Sequence, residues 1–310
     1  MAPAMFAKPT LVVLAAAAQI ITIPLGKPPP HIPEPIAPIE TAGPEFAASC
    51  HDWDDYAKPA PPVRIFANTY YVGTCGISSI LITGTAGDIL IDGGTEQDAD
   101  LIATNIRKLG FRLGDVKILL NSHEHFDHVG GLARLQQLTG AKIYASPAAA
   151  EVIQSGVAGP GDPQQDIGKR FPAAHVDHTI ADGEMVRLGN VTVIAAATPG
   201  HTPGAITWHW GSCDGGVCRQ IVYADSLTPI SSDSYRFSDH PAYLAAYRRS
   251  IAKVAALDCD ILLTPHPSAS GMVKRFGAGK PLLDPDGCRK YAAGLSKQLD
   301  ERLAKEAAGK

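Results

Sequence analysis

The stretch His123-Glu124-His125-Phe126-Asp127-His128 follows the apolar run Val116-Lys117-Ile118-Leu119-Leu120. Three imidazoles and the Asp127 carboxylate within six positions do not serve packing. Neutral imidazole nitrogen and carboxylate oxygen are the ligands divalent zinc takes in catalytic sites, where one coordination position stays open for water. The run before the cluster reads as a short buried strand, and Gly131-Leu-Ala-Arg-Leu-Gln-Gln-Leu138 reads as the helix after it. The histidines thus lie on a loop leaving the carboxyl end of a strand, where α/β sheets place their ligands.

Working outward, Tyr70–Val72, Ser79–Thr83 and Asp88–Asp92 read as strands, the last ending at Gly93-Gly94. Asp98–Leu109 carries apolar residues at helical spacing, and Gly110 stands where a left-handed C-terminal residue is wanted. Lys142–Ala145 is another short strand, and 155–165 has the Gly, Pro, Asp and Gln content of a loop. Val191–Ala197 is a strand ending at Thr198-Pro199-Gly200-His201. Ala205–Trp210 and Gln220–Tyr223 form a hairpin around Cys213-Asp-Gly-Gly-Val-Cys218. Pro241–Leu257 is an amphipathic helix, Asp260–Thr264 a last strand, and Asp286 onward a last helix. Two sets of strands, each with helices, predict two packed sheets with helices outside.

The 310 residues are 45% apolar, enough for a buried core, and the net charge is −4. That balance, with no Lys/Arg run, argues against nucleic acid or an anionic membrane as partner. Lys8 precedes a short apolar core at Leu11–Ile21, which is too brief for a span and reads as a secretory signal over residues 1–25; an uncleaved anchor helix is the competing reading. Residues 26–48, rich in proline, read as a tether, and 49–308 as the folded domain. The six cysteines, an even number, fit export to an oxidising compartment and three disulfides, periplasmic or secreted. Cys213–Cys218 is the pair the hairpin turn favours; the other pairings stay open on spacing alone.

His123-x-His125-x-Asp127-His128, Gly200-His201-Thr-Pro-Gly204, Tyr223-Ala-Asp-Ser-Leu227 and Leu262-Leu-Thr-Pro-His266-Pro together resemble the metallo-β-lactamases of subclass B3. The resemblance runs from about Trp53 to the C-terminus. It implies an αββα sandwich of the α/β class, two mixed sheets with helices on the outer faces and two Zn2+ in a groove at one edge. By the same resemblance His123, His125 and His201 hold the first zinc, and Asp127, His128 and His266 the second. It further implies hydrolysis of the β-lactam ring of penicillins, cephalosporins and carbapenems by a metal-bound hydroxide that Asp127 orients, conferring antibiotic resistance. Ser226, Thr228, Gln164 and Trp53 are the implied substrate contacts, the partner being a small β-lactam. A monomer with no stable membrane association after signal removal is expected. Cys259–Cys288 is implied as a second disulfide, leaving Cys50–Cys75.

Three positions carry open alternatives. Asp92 is either a partner that fixes a metal-bound histidine or a simple turn former. Glu124, between two ligand histidines, is expected to point away from the metals as a solvated or locally paired carboxylate. Of Asp225 and Ser226 only one is expected to face the metals, since adjacent strand residues point to opposite faces. Ser226 there fits a lactamase; Asp225 there fits a thioester or lactone hydrolase of the same fold. A non-catalytic zinc protein is disfavoured, because six ligands for two metals leave positions open.

Overall fold

The alternation of the strands decides the layering. In the computed structural model, which describes residues 42–277 and 282–309, Ile80 and Ile82 turn to one side of their strand and Leu81 to the other, all fully buried. Strands covered on both faces read as unbroken apolar runs, as Ile80–Ile82, Ile89–Ile91 and Ile261–Leu263 do.

The first half contains α1 (Ala42–Ser49), β1 (Val63–Phe66), β2 (Thr69–Tyr71), β3 (Ile80–Ile82), β4 (Asp88–Ile91) and α2 (Ala99–Lys108). It continues with β5 (Val116–Leu120), α3 (Phe126–Val129), α4 (Leu132–Thr139), β6 (Lys142–Ala145), α5 (Pro147–Ser155) and β7 (Val176–Thr179). The seven strands form one sheet in sequence order, antiparallel from β1 to β4 and parallel from β4 to β7. The second half contains β8 (Met185–Leu188), β9 (Val191–Ala197), β10 (Ile206–Asp214) and β11 (Val217–Tyr223), then α6 (Pro241–Ala256), β12 (Ile261–Leu263), α7 (Met272–Gly277) and α8 (Gly287–Ala307). Its five strands lie in the order β12-β11-β10-β9-β8, with β11 and β12 parallel and the rest antiparallel.

Three apolar clusters follow from this alternation. Ile80, Ile82, Ile89, Ile91 and Leu120 meet Val193, Ile206, Trp208 and Tyr223 between the sheets. Leu81, Leu90 and Leu119 pack outward against Ile102, Ile106 and Leu132 of α2 and α4. Val222 and Leu262 pack outward against Tyr247, Ile251 and Leu295 of α6 and α8. The result is the expected αββα sandwich of two mixed sheets.

The expected signal peptide, and the tether up to residue 41, lie outside the described residues. The domain begins earlier than the predicted residue 49, because Ala42–Ser49 is helical and belongs to the core. Phe46 is fully buried, with its ring centroid 5.1 Å from that of Tyr71 and 4.9 Å from that of Phe276. Among the strands and helices, α1, β1, α3, α5, β7, β8 and α7 went unread in the sequence: the strands are four residues each, α3 and α7 span four and six, and the Ala-rich start of α5 carries little periodicity. The cysteines pair as Cys50–Cys75, Cys213–Cys218 and Cys259–Cys288, the second across facing positions of the β10–β11 hairpin. No helix among the described residues is long and apolar enough to cross a membrane.

Candidate metal centre

Each histidine singled out above follows the carboxyl end of a strand: His123, His125 and His128 after β5, His201 after β9, and His266 after β12. Hydrogen bonds between the sheets fix these loops against one another. Ile206 N–H donates to Ser122 O at 2.7 Å, and Trp208 Nε1–H to Asn121 O at 2.8 Å. Ser78 N–H donates to Pro265 O, and its hydroxyl to Thr264 O, both at 2.7 Å. The fold thereby gathers residues far apart in the chain. Ring centroids of His123 and His125 each lie 4.8 Å from that of His201, and those of His128 and His266 lie 5.1 Å apart.

One nitrogen of each ring has a polar neighbour outside the centre. Asp225 Oδ1 stands 2.9 Å from His123 Nδ1, and Asp162 Oδ2 3.1 Å from His125 Nε2. His201 Nδ1 lies 2.9 Å from Thr228 O, and His266 Nδ1 3.3 Å from Gly76 O. Asp92 Oδ2 stands 3.3 Å from His128 Nδ1. Such partners fix the tautomer and aim of a metal-binding imidazole. The remaining nitrogens turn inward: Asp127 Oδ2 lies 3.4 Å from His128 Nε2 and 3.6 Å from His266 Nε2.

The inward atoms fit a metal. Ligand atoms of His123, His125 and His201 lie within 4.8 Å of one another, as do those of His123, Asp127 and His128. His123 Nε2 and both ring nitrogens of His128 are buried with no hydrogen-bond partner, a costly arrangement for polar atoms that a cation on the inward side relieves. Burial holds the His123 imidazole well below its ordinary pKa, and drives His201 down to about 3 and His266 to about 4. Those rings are neutral ligands at any physiological pH. Burial also pulls on His128, but the Asp127 charge outweighs it and lifts that ring to about 10. Burial would raise Asp127 too, yet His128 holds it well below the carboxylate range.

Asp92 is a turn residue and also a neighbour of His128 Nδ1. It makes the turn after β4, with φ of 65°, and it gathers donors at a fully buried carboxylate. Ser122 N–H donates to it at 2.6 Å, Ser122 Oγ–H at 2.7 Å and Tyr223 Oη–H at 2.7 Å.

Asp225 and Ser226 turn opposite ways on the loop beyond β11, which ends at Tyr223. Ser226 lines a groove over the histidines, with its hydroxyl buried and unpartnered, while Asp225 sits behind His123. Leu227, at φ of 45°, makes this turn possible, and the phenols of Tyr247 and Tyr291 hold its carbonyls at Leu227 and Ser226, each at 2.6 Å. Thr228 and Gln164 also line the groove. Both touch His201: Thr228 through its carbonyl and hydroxyl, and Gln164 through Nε2 at 3.5 Å from His201 Nε2. Trp53 stands at the mouth, 69% exposed rather than packed on the core, its backbone N–H donating to Ser268 Oγ. Glu124 points away from the inward nitrogens but is buried, not solvated.

Sequence reasoning missed Asp162, the partner of His125, which sat unremarked in the Gly161-Asp162-Pro163 loop. It also missed the apolar walls Tyr56, Phe126, Ile167 and Ile230 and the Lys169 ammonium over the Phe126 ring, 4.6 Å from its centroid. Lone loop residues carry no periodic signal that would mark them.

Residues 72–266 match the model of the metallo-beta-lactamase superfamily. The fold superposes on the MIM-2 metallo-beta-lactamase with a TM-score of 0.83 and 55% identity, covering 86% of this chain and 98% of that one. The metallo-beta-lactamase MIM-1 of Novosphingobium pentaromativorans gives 0.83 and 45%, with the same coverage. MEM-A1, a subclass B3 metallo-beta-lactamase from a soil metagenome library, gives 0.79 and 44% over 83% of this chain and 100% of that one. A curated hydroxyacylglutathione hydrolase of Maricaulis maris is 31% identical over 112 residues, 36% of this chain and 35% of its own length. The first curated relatives are thus matched over only about a third to two fifths of their length. Family model and structural relatives agree with the geometry: the chain belongs to the metallo-beta-lactamase superfamily, within its subclass B3.

Proposed function

We propose that this protein hydrolyses the β-lactam ring of antibiotics with two zinc ions, one held by His123, His125 and His201 and the other by Asp127, His128 and His266. The observation that carries the reading is the split between Asp225 and Ser226. Asp225 stands 2.9 Å from His123 Nδ1, behind that ring, and Ser226 rather than Asp225 lines the groove. Likeness to MIM-2 and MEM-A1 across nearly their whole length supports the same reading.

Zinc in these sets supplies a Lewis acid and lowers the pKa of coordinated water from about 15.7 toward 7. The residues supply everything else. Asp127, within reach of both His128 and His266, orients the attacking water while serving the second set. Ser226 Oγ, unpartnered and turned to the groove, takes the substrate carboxylate, with Thr228 and Gln164 beside it. Trp53 and Tyr56 on one wall, and Ile167 and Ile230 on another, cover the apolar body of the substrate and exclude water. In the net reaction water oxygen adds to the lactam carbonyl carbon, the C–N bond breaks, and the nitrogen takes a proton. No covalent acyl-enzyme is required. The three cysteine pairs support action outside the cytoplasm, in the periplasm or after secretion.

The test incubates purified protein with nitrocefin and with S-lactoylglutathione, each with and without EDTA. EDTA-sensitive turnover of nitrocefin is expected. Turnover of the thioester alone would replace the lactamase reading with that of the partial curated relatives.

A further inference from the structure

We propose that Glu124 is a positioning residue that ties the His201 loop to the His123–His125 loop and so sets the geometry of the first metal set. The two loops come from different sheets, one after β5 and the other after β9. A set of three imidazoles therefore depends on how well two independent loops hold register.

The Glu124 side chain closes that gap. It lies 2% exposed between two ligand histidines and turns its carboxylate to the opposite loop. Thr202 Oγ1–H donates to Oε2 at 2.7 Å, and Gly204 N–H donates to Oε1 at 2.8 Å. Thr202 is fully buried and follows His201 directly. Both carboxylate oxygens are thus occupied by donors from the segment just after the third ligand. Gly204 is shaped for this contact. A Cβ there would lie 2.8 Å from both Glu124 oxygens and 2.5 Å from Ala149 N, so any larger residue would push the carboxylate aside. Ser146 Oγ–H holds the carbonyl of Gly204 at 2.7 Å from the other side. A buried carboxylate is costly unless its hydrogen bonds repay it. Here they are made to one place only, the loop that carries His201.

The inference rests on the assignment of His123, His125 and His201 as one metal set, and not on the substrate. The experiment therefore uses metal alone. Metal-free wild type, Glu124→Ala, Glu124→Gln and Thr202→Val are titrated with zinc against a chromophoric chelator at fixed pH. Cobalt(II) absorption then reports the ligand field, and thermal melting reports the fold. Removing an outer partner typically costs 10–100-fold in metal affinity. Glu124→Ala should lose about that factor at the first set and leave the second unchanged. Glu124→Gln, which keeps an acceptor for Gly204 N–H and an amide that Thr202 can accept from, should recover most of the loss. Thr202→Val should fall between. Wild-type affinity and cobalt spectrum in folded Glu124→Ala would overturn the proposal, as would equal weakening of both sets. If Glu124→Ala fails to fold, unchanged first-set affinity in Thr202→Val overturns it instead. Failure of zinc to bind the wild type would sink the metal assignment itself, a separate outcome.

Discussion

Replacing Asp92 with Asn should damage the second metal set through the tautomer of His128 and leave the first intact. Asparagine tolerates the left-handed turn at φ of 65°, so the backbone survives the change. The amide, however, has one acceptor oxygen where the carboxylate has two. With its nitrogen at the Oδ1 position, it meets Ser122 N–H at 2.6 Å, two donors face to face. With its nitrogen at Oδ2, the hydroxyls of Ser122 and Tyr223 can turn to accept, and Tyr223 finds Ser78 O at 3.3 Å for its own proton. His128 Nδ1 then faces a second donor and can accept from it only by giving up its own proton, which leaves the ring protonated on Nε2, the atom facing Asp127. Either flip costs about 1–3 kcal/mol for one unsatisfied buried polar group. At roughly 2–4 °C per kcal/mol for a domain of this size, the metal-free melting temperature should fall by about 2–12 °C. Second-zinc affinity should fall about 10–100-fold. Differential scanning calorimetry of the metal-free protein and zinc titration against a chelator measure the two effects. Wild-type affinity for both zincs in Asp92→Asn would refute the reasoning, and so would equal weakening of both.

His266→Ala should bind the first zinc normally, bind the second weakly and turn over nitrocefin far more slowly; unchanged activity with full metal content contradicts the assigned set. Ser226→Ala should keep both zincs and raise KM more than it lowers kcat, whereas loss of one zinc would make Ser226 a ligand, as metal analysis beside steady-state kinetics can tell. Asp88 offers a pH test far from the metals: burial lifts its carboxyl to about 7 despite the Gly84 N–H bond. Its folded pKa exceeds the unfolded 3.8, so stability is intact below about pH 4 and falls as pH rises through 7, by an upper bound of about 4 kcal/mol. Asp88→Asn should therefore melt higher than wild type at pH 8 and alike at pH 4, and equal melting at both would contradict the buried charge.

What the sequence determined is the local chemistry. Val116–Leu120 followed by His123-Glu-His-Phe-Asp-His128 places metal-binding side chains at the end of a buried strand, because strand pattern and ligand type are both written in adjacent residues. The two-sided apolar runs at Ile89–Ile91 and Ile261–Leu263 likewise announce sheets covered on both faces. Tertiary structure alone decided which atoms meet. That Asp225 backs His123 while Ser226 opens to the groove is decided on a loop beyond the end of β11 at Tyr223, where strand alternation no longer applies and Leu227 takes a left-handed φ. Asp162 reaches His125 across 37 positions, and Glu124 reaches Thr202 and Gly204 across 78 and 80. Such contacts exist only once two sheets have packed, since a single side chain bonding across a fold leaves no period, spacing or composition for the sequence to display.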